Sequence, residues 1–156
     1  MVMDPARFRQ ALGHFASGVT VVTTEAEGVR HGMTVSAFCS LSLEPPLVLI
    51  CIDKDASLHP VITSAANFAV NVLSADQDLH SRRFASRGDE KFEGIATHPG
   101  TLGAPLLDGA LARIECRVHD RFDGGDHSIV VGEVVHAEIE EGDPLIYFRG
   151  GYAELK

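Results

Sequence analysis

Two hydroxyls, Thr34 and Ser36, stand two residues apart in the stretch GMTVSAFCSLSLEPPLVLICID. Successive side chains of an extended chain point to opposite faces, so this pair shares one face while Met33, Val35 and Ala37 take the other. If that face lines a pocket, the hydroxyls can donate to carbonyl or phosphate oxygens; on an ordinary half-exposed strand they are merely solvated. A second candidate is His127, which follows Gly124, Gly125 and Asp126 just before an apolar run. A histidine so placed is open to two readings, a structural or exposed side chain and a group offering a proton or hydrogen bond to a ligand.

Other chemistries are excluded by spacing. No GxGxxG follows a strand, and neither GxxxxGK[ST] nor GxSxG occurs, so no Rossmann dinucleotide site, P-loop or hydrolase elbow is written here. Cys39, Cys51 and Cys116 are an odd count without zinc-site spacing, and the eight histidines form no HExxH pair; the cysteines read as reduced core residues and no metal site is expected. Glu138, Glu140 and Glu141 close an alternating run and read as a solvated edge.

The chain has 156 residues, 45% of them hydrophobic, with 13 Lys+Arg against 22 Asp+Glu and a net charge of -9. One domain spanning residues 1–156 is expected, long enough to fold on a single core. Its acidity disfavours general binding to nucleic acid or to anionic membranes but leaves a small anionic ligand open, provided cations are placed locally. No apolar run reaches the length of a membrane span and the opening MVMDPARFRQ has no signal-peptide core, which points to a cytoplasmic protein.

The positioning elements follow from periodicity. Asp4 and Pro5 suit the start of a helix carrying Phe8, Leu12 and Phe15 on one face and stopping by Gly18. Residues 19–24, 33–38, 47–52 and 67–73 are β-branched runs, read as antiparallel strands with brief connections. SLHPVITSA reads as a short helix, and ADQDLHSRRFAS as another with Leu79 and Phe84 facing inward. Residues 86–109 are rich in Gly and Pro, a long irregular stretch of the kind that is often functional. Ala112, Ile114, Cys116 and Val118 then alternate with charges, followed by IVVGEVVHAEIE, where Gly132 marks a bulge or tight bend, and by PLIYF. About seven strands with peripheral helices are most economically arranged as a closed or partly closed antiparallel barrel.

Taken in order, FRQALGHFASGVTVVTT, GMTVSAFCSLSLEPPLVLICID, FAVNVLSADQ, KFEG, GGDHSIVVGEV and PLIYFRGGY resemble the flavin reductase family. These are small FMN-binding split-barrel enzymes that serve two-component flavin monooxygenases. The resemblance runs from about Phe8 to Leu155. It implies a mainly β, Greek-key split barrel with peripheral helices, a homodimer, FMN or FAD near the subunit interface, NADH or NADPH as hydride donor, and a monooxygenase component that receives reduced flavin.

Position by position, the resemblance places Met33, Thr34, Val35, Ser36, Ala37 and Phe38 along the flavin ring and ribityl chain, with Cys51, Ile52 and Asp53 as the adjacent wall. Phosphate capture falls at the start of the short helix, where free N–H groups of Ala56, Ser57 and Leu58 and the Ser57 hydroxyl face a favourable dipole end. Ala56 and Leu58 stand where many relatives carry hydroxyl residues; Lys54, Arg87 and Lys91 are the cations able to compensate. Lys91 and Phe92 match the family's KF motif. His127 matches the histidine of its GDH motif, on the nicotinamide side of the flavin, with Asp126 read mainly as a turn residue. Arg149 and Tyr152 reach the flavin or nucleotide, or pack between subunits; His59 stands near the ring or faces solvent. Two other readings of the same barrel are a tightly bound FMN acting on an organic substrate and a non-catalytic flavin- or haem-binding module.

Overall fold

The computed structural model describes residues 1–156. The chain opens with helix α1, Pro5–Gly13, where the Asp4 carboxylate accepts from the N–H groups of Ala6 and Arg7 at 3.4 and 3.3 Å. The helix ends at Gly13 rather than Gly18. Gly18 belongs to the short strand β1, Ser17–Gly18, and pairs with Ile146. The expected apolar face finds no cover within the chain: Phe8, Leu12 and Phe15 remain 52%, 57% and 81% exposed.

After α1 and β1 the order is β2 (Thr20–Ala26), β3 (Val29–Val35), β4 (Phe38–Ser42), β5 (Leu47–Asp53), α2 (His59–Ile62), β6 (Asn67–Val72) and α3 (Asp78–Ala85). It continues with β7 (Thr97–Pro99), β8 (Pro105–Leu107), β9 (Ala112–Gly124), β10 (His127–Ile139), β11 (Ile146–Phe148) and β12 (Gly151–Ala153). The fold is mainly β and antiparallel. Seven strands form one sheet in the order β3-β2-β6-β9-β10-β5-β4, with β1-β11-β12 and β7-β8 as small separate sheets. No helix is long and apolar enough to cross a membrane.

Residues 33–38 are not one strand, as their β-branched pattern suggested. β3 pairs with β2 as far as Val35, opposite Thr20, and the chain then leaves that neighbour. The Ala37 carbonyl accepts from the Cys51 N–H of β5 at 3.0 Å, and β4 continues along β5. Ser36 and Ala37 are thus the exposed link between the two edge strands. The sheet nevertheless curls about one core: Val35 from one edge and Val48 and Ile50 beside the other belong to a single buried cluster with Val22, Ile52, Phe68, Val70, Cys116 and Val130. A second buried cluster, with Val19, Leu73, Phe84, Phe92 and Leu107, lies under α3 and the following loop.

Two inward assignments change. Leu79 is 72% exposed, while Phe84 is fully buried, because only one side of the two-turn helix α3 meets the sheet. Of the three cysteines only Cys116 is buried; its thiol is pushed up to about 12, chiefly by burial. Cys51 is half-buried and Cys39 exposed on the outer side of β5 and β4. Glu138 and Glu140 are not a free solvated edge: both accept from the buried Arg113 guanidinium, at 2.8 and 3.1 Å. Hydrogen bonding to Arg113 holds the Glu138 carboxyl below the usual carboxylate range.

Gly132 sits where the β9–β10 register shifts between Val131 and Gly132, as its position in an apolar run suggested. A Cβ there would lie 2.6 Å from Phe68 Cζ and 2.7 Å from Cys116 Cβ, distances that neither a buried ring nor a strand can yield without repacking. Gly132→Ala is expected to lower unfolding free energy by roughly 1–3 kcal/mol, measured by denaturant melts at unchanged m-value.

Candidate functional site

Three segments far apart in sequence meet at one cleft of about 700 Å³: Met33 from β3, Asp53 at the end of β5 with Asp55, Ala56 and Ser57 beyond it, and Ala85 at the end of α3 with Ser86, Arg87, Gly88, Asp89 and Lys91 beyond it. That volume lies within the range of about 300–1,000 Å³ usual for cofactor and substrate sites. Among the cations proposed for an anion, Arg87 and Lys91 both line it. Lys54 does not; its ammonium is paired with Asp123 across the β9–β10 hairpin, and this bond holds the Asp123 carboxyl below its usual range.

The floor of the cleft is a chain reversal between β5 and α2. The Ala56 N–H donates to the Asp53 carbonyl at 3.0 Å, and the Asp55 N–H to Asp53 Oδ1 at 2.8 Å. Ala56 therefore has no free N–H to offer, contrary to expectation, whereas those of Ser57 and Leu58 have no acceptor within the chain. The helix behind them, α2, is four residues long, so its dipole adds little and the turn itself must present the donors. The Ser57 side chain is exposed and Leu58 is buried.

The far wall is held by hydrogen bonds to the edge of β3. Lys91 Nζ donates to the carbonyls of Gly32 and Phe84, each at 3.2 Å, thus tying β3 to the end of α3. Burial pulls this ammonium below the ordinary lysine range. Thr34 Oγ1 donates to the Ser81 carbonyl at 2.6 Å, so its hydroxyl braces α3 and does not share a ligand-facing side with Ser36. Phe92 is buried, edge-on to Phe84 with ring centroids 4.9 Å apart.

The remaining sequence-derived residues divide by location. The side chains of Val35 and Ile52 are in the core, and Phe38 packs against it, so these positions can meet a ligand only through backbone or a ring edge. Cys51 has a half-buried thiol on the outer face of β5, raised by burial and by nearby Cys39. His127 begins β10 directly opposite Asp53, whose side chain lines the cleft; His127 itself is not part of that lining. Its Nδ1 lies 2.7 Å from Asp126 Oδ1. Asp126 therefore does more than shape the turn, where Gly125 at φ 75° supplies the required positive φ; its carboxyl is held below the usual range by the His127 hydrogen bond. The His59 ring is turned to Ser128 Oγ at 2.8 Å.

Arg149 and Tyr152 are not at the cleft. Arg149 takes φ 52°, donates its N–H to Gly13 at the end of α1 and lays its guanidinium 5.8 Å from the Phe148 ring centroid. The Tyr152 hydroxyl lies 2.7 Å from Ser81 Oγ, with the Arg82 guanidinium 4.9 Å from its ring centroid. Missed in the sequence were Asp55, Ala85, Ser86, Gly88 and Asp89, which complete the lining; the Gly-rich irregular stretch after α3 was the available signal. A second cleft of about 300 Å³ adjoins the first, sharing Ser57, Gly88, Asp89 and Lys91 and continuing along Arg30, His31 and Phe92.

Residues 12–156 match the flavin reductase like domain. The chain is 45% identical over 153 residues to the reductase component of 4-nitrophenol 4-monooxygenase/4-nitrocatechol 2-monooxygenase from Rhodococcus opacus, covering 98% of this chain and 82% of that one. It is 47% identical over 148 residues to the FMN reductase (NADH) SmoA of Agrobacterium fabrum, covering 95% and 84%. Among solved structures, the NADH:FAD oxidoreductase SgcE6 of Streptomyces globisporus C-1027, in complex with NAD and FAD fragments, superposes with a TM-score of 0.95 at 38% identity over 100% of this chain and 97% of that one.

Removing the Lys91 ammonium while keeping its stem tests the wall. Lys91→Met is expected to destabilise the fold by about 1–2 kcal/mol, through two buried carbonyls left unpaired. It should also speed amide hydrogen exchange in residues 86–92 and along β3 before other strands, with unchanged exchange counting against the bracing role.

Proposed function

The chain belongs to the flavin reductase like family, and on that premise we propose that it is an NAD(P)H-dependent flavin reductase that supplies reduced flavin to a partner monooxygenase in the cytoplasm. It is an oxidoreductase: NAD(P)H gives a hydride to the flavin, which with one proton from solvent becomes the reduced flavin, leaving NAD(P)⁺. The observation supporting this reading most directly is the convergence of Met33, Ser57, Arg87 and Lys91 on one cleft from separate parts of the fold.

In this reading residues 1–156 act as one domain. Met33 gives the flavin ring an apolar contact. The N–H groups of Ser57 and Leu58 and the Ser57 hydroxyl hold the phosphate, with Arg87, which makes no ion pair within the chain, as the mobile cation. Lys91 serves indirectly, by fixing the wall. Asp53, Asp55 and Asp89 face the same cleft, so the anion is drawn to the turn and Arg87 rather than to the cleft as a whole, which favours a flavin that exchanges freely. FMN is the preferred flavin and FAD an alternative.

His127 acts from its place opposite Asp53. With Nδ1 engaged by Asp126, Nε2 is the atom left to meet the nicotinamide or the flavin. The uncovered face of α1, with Phe8, Leu12 and Phe15, is read as the seat of a second copy, and Arg149 and Tyr152, beside α1 and α3, as lying near that junction.

Anaerobic mixing with NADH or NADPH and added FMN or FAD is expected to bleach the flavin's visible absorbance; no bleaching with any pair would overturn the proposal. In the same assay His127→Ala is expected to slow flavin reduction at least tenfold at unchanged melting temperature, and an unchanged rate would remove His127 from the site. Light scattering is expected to give twice the 16.7 kDa chain mass. Leu12→Glu combined with Phe15→Glu should halve it, and a monomeric parent protein would refute the pairing.

A further inference from the structure

We propose that His98 is a proton-operated staple, which fastens β7 to β10 while its imidazole carries two protons and lets go when it carries one. β7 closes the irregular stretch that starts after α3, and it is the outer strand of its small sheet. β8 is buried along its whole length, whereas Thr97 and His98 are half-buried and Pro99 is exposed. β8 is moored to the main sheet: the Pro105 carbonyl accepts from Thr23 Oγ1 at 2.6 Å, and the Leu107 N–H donates to Asn71 Oδ1 at 2.9 Å. Beyond its ladder with β8, β7 reaches the main sheet by the hydrogen bonds of two side chains. Thr97 Oγ1 accepts from Arg30 of β3 at 3.2 Å, and the His98 ring meets Glu138 of β10.

Both nitrogens of that ring face carboxylates. Nδ1 lies 2.6 Å from Asp108 Oδ1, and Nε2 lies 3.2 Å from Glu138 Oε2. An ionised carboxylate only accepts and a neutral imidazole has a single N–H, so both contacts are hydrogen bonds in the imidazolium alone. The charged groups here form a row of alternating sign: Asp108 after β8, His98 on β7, Glu138 on β10, Arg113 on β9 and Glu140 after β10. Arg113 is 5% exposed and also donates to the carbonyls of Leu107 and Ala110, so three carboxylates share one fixed cation. From the α3 side the approach is neutral, with Gln77 Nε2 donating to the Asp108 carbonyl at 3.0 Å. The imidazolium therefore relieves repulsion among the carboxylates as well as bridging two of them. These contacts, the Asp108 hydrogen bond foremost, hold it charged above the ordinary histidine range. The stabilisation is complete below the unfolded value of about 6.5 and is lost as pH rises through the higher folded value. On losing a proton the ring keeps its remaining N–H on Asp108, at the shorter distance, and gives up Glu138. β7 then parts from β10 while the rest of the row stays in place.

Titration of the histidine rings by nitrogen-15 NMR tests this in the parent protein, with the His98 signals identified by their absence in His98→Gln. His98 is expected to stay doubly protonated above about pH 6.5 and to become the Nδ1–H tautomer as pH rises further. Over the same range the amide protection of the β7–β8 ladder, corrected for intrinsic exchange, should fall about tenfold relative to that of β9 and β10. In His98→Gln that pH dependence should vanish. Asp108→Asn and Glu138→Gln should each lower the His98 midpoint, Asp108→Asn by more. A parent midpoint at or below about 6.5 would refute the staple. So would an unmoved midpoint in both carboxylate variants, or the same pH-dependent loss of protection in His98→Gln.

Discussion

A strand at the edge of a sheet has a row of backbone groups with no partner, and in this protein the way that edge is covered determines everything around it. β3 bonds to β2 on one side only. On the other, Lys91 and Thr34 bind it to α3: the ammonium takes the Gly32 carbonyl, and the Thr34 hydroxyl takes the Ser81 carbonyl. Peptide groups left bare would be costly and would invite other chains to pair. Covering them with a helix and a loop instead of an eighth strand leaves a gap between the loop and the β5–α2 reversal, and that gap is the cleft. The opening is thus a by-product of leaving β3 and β4 unpaired while both still feed one core.

The same solution fixes the electrostatics. An acidic chain can host an anionic ligand only where donors are concentrated. Here the concentration is achieved with backbone N–H groups and few cations. Lys91 is committed to carbonyls, Lys54 to Asp123 and Arg113 to Glu138 and Glu140. Arg30 and Arg87 are the lysine or arginine side chains lining the clefts that are paired with neither a carboxylate nor a main-chain carbonyl.

Much of this was legible in the sequence because it depends on local pattern. Asp4 and Pro5 announced a helix start, alternation announced β9 and β10, and Gly132 in an apolar run announced a bulge. The motifs around Met33, Lys91, His127 and Tyr152 announced the family, whereas the turn at Ser57 departs from its common pattern. What pattern could not convey was the partner of each polar atom. Thr34 and Ser36 have the spacing of a shared face, but the chain changes neighbours after Val35, and the Thr34 hydroxyl meets a helix carbonyl 47 residues away in sequence. Lys91 resembles a phosphate ligand by charge and is a brace by position. Leu79 has helical spacing from Phe84 only loosely, and a helix of two turns shows too narrow a face to bury both.

The two-residue turn at Gly125 and Asp126 connects two strands of 13 residues each, so His127 is held by sheet pairing on both sides rather than by a loop. Successive side chains of β10 leave opposite faces of the sheet, and the register shift at Gly132, packed against Phe68 and Cys116, anchors their phase. Insertion or deletion of a single residue between His127 and Gly132 would turn the imidazole to the opposite face of the sheet. The length of the five-residue interval from His127 to Gly132 is therefore as much a part of the chemistry there as the histidine itself, and sequence drift along this hairpin is confined to substitution.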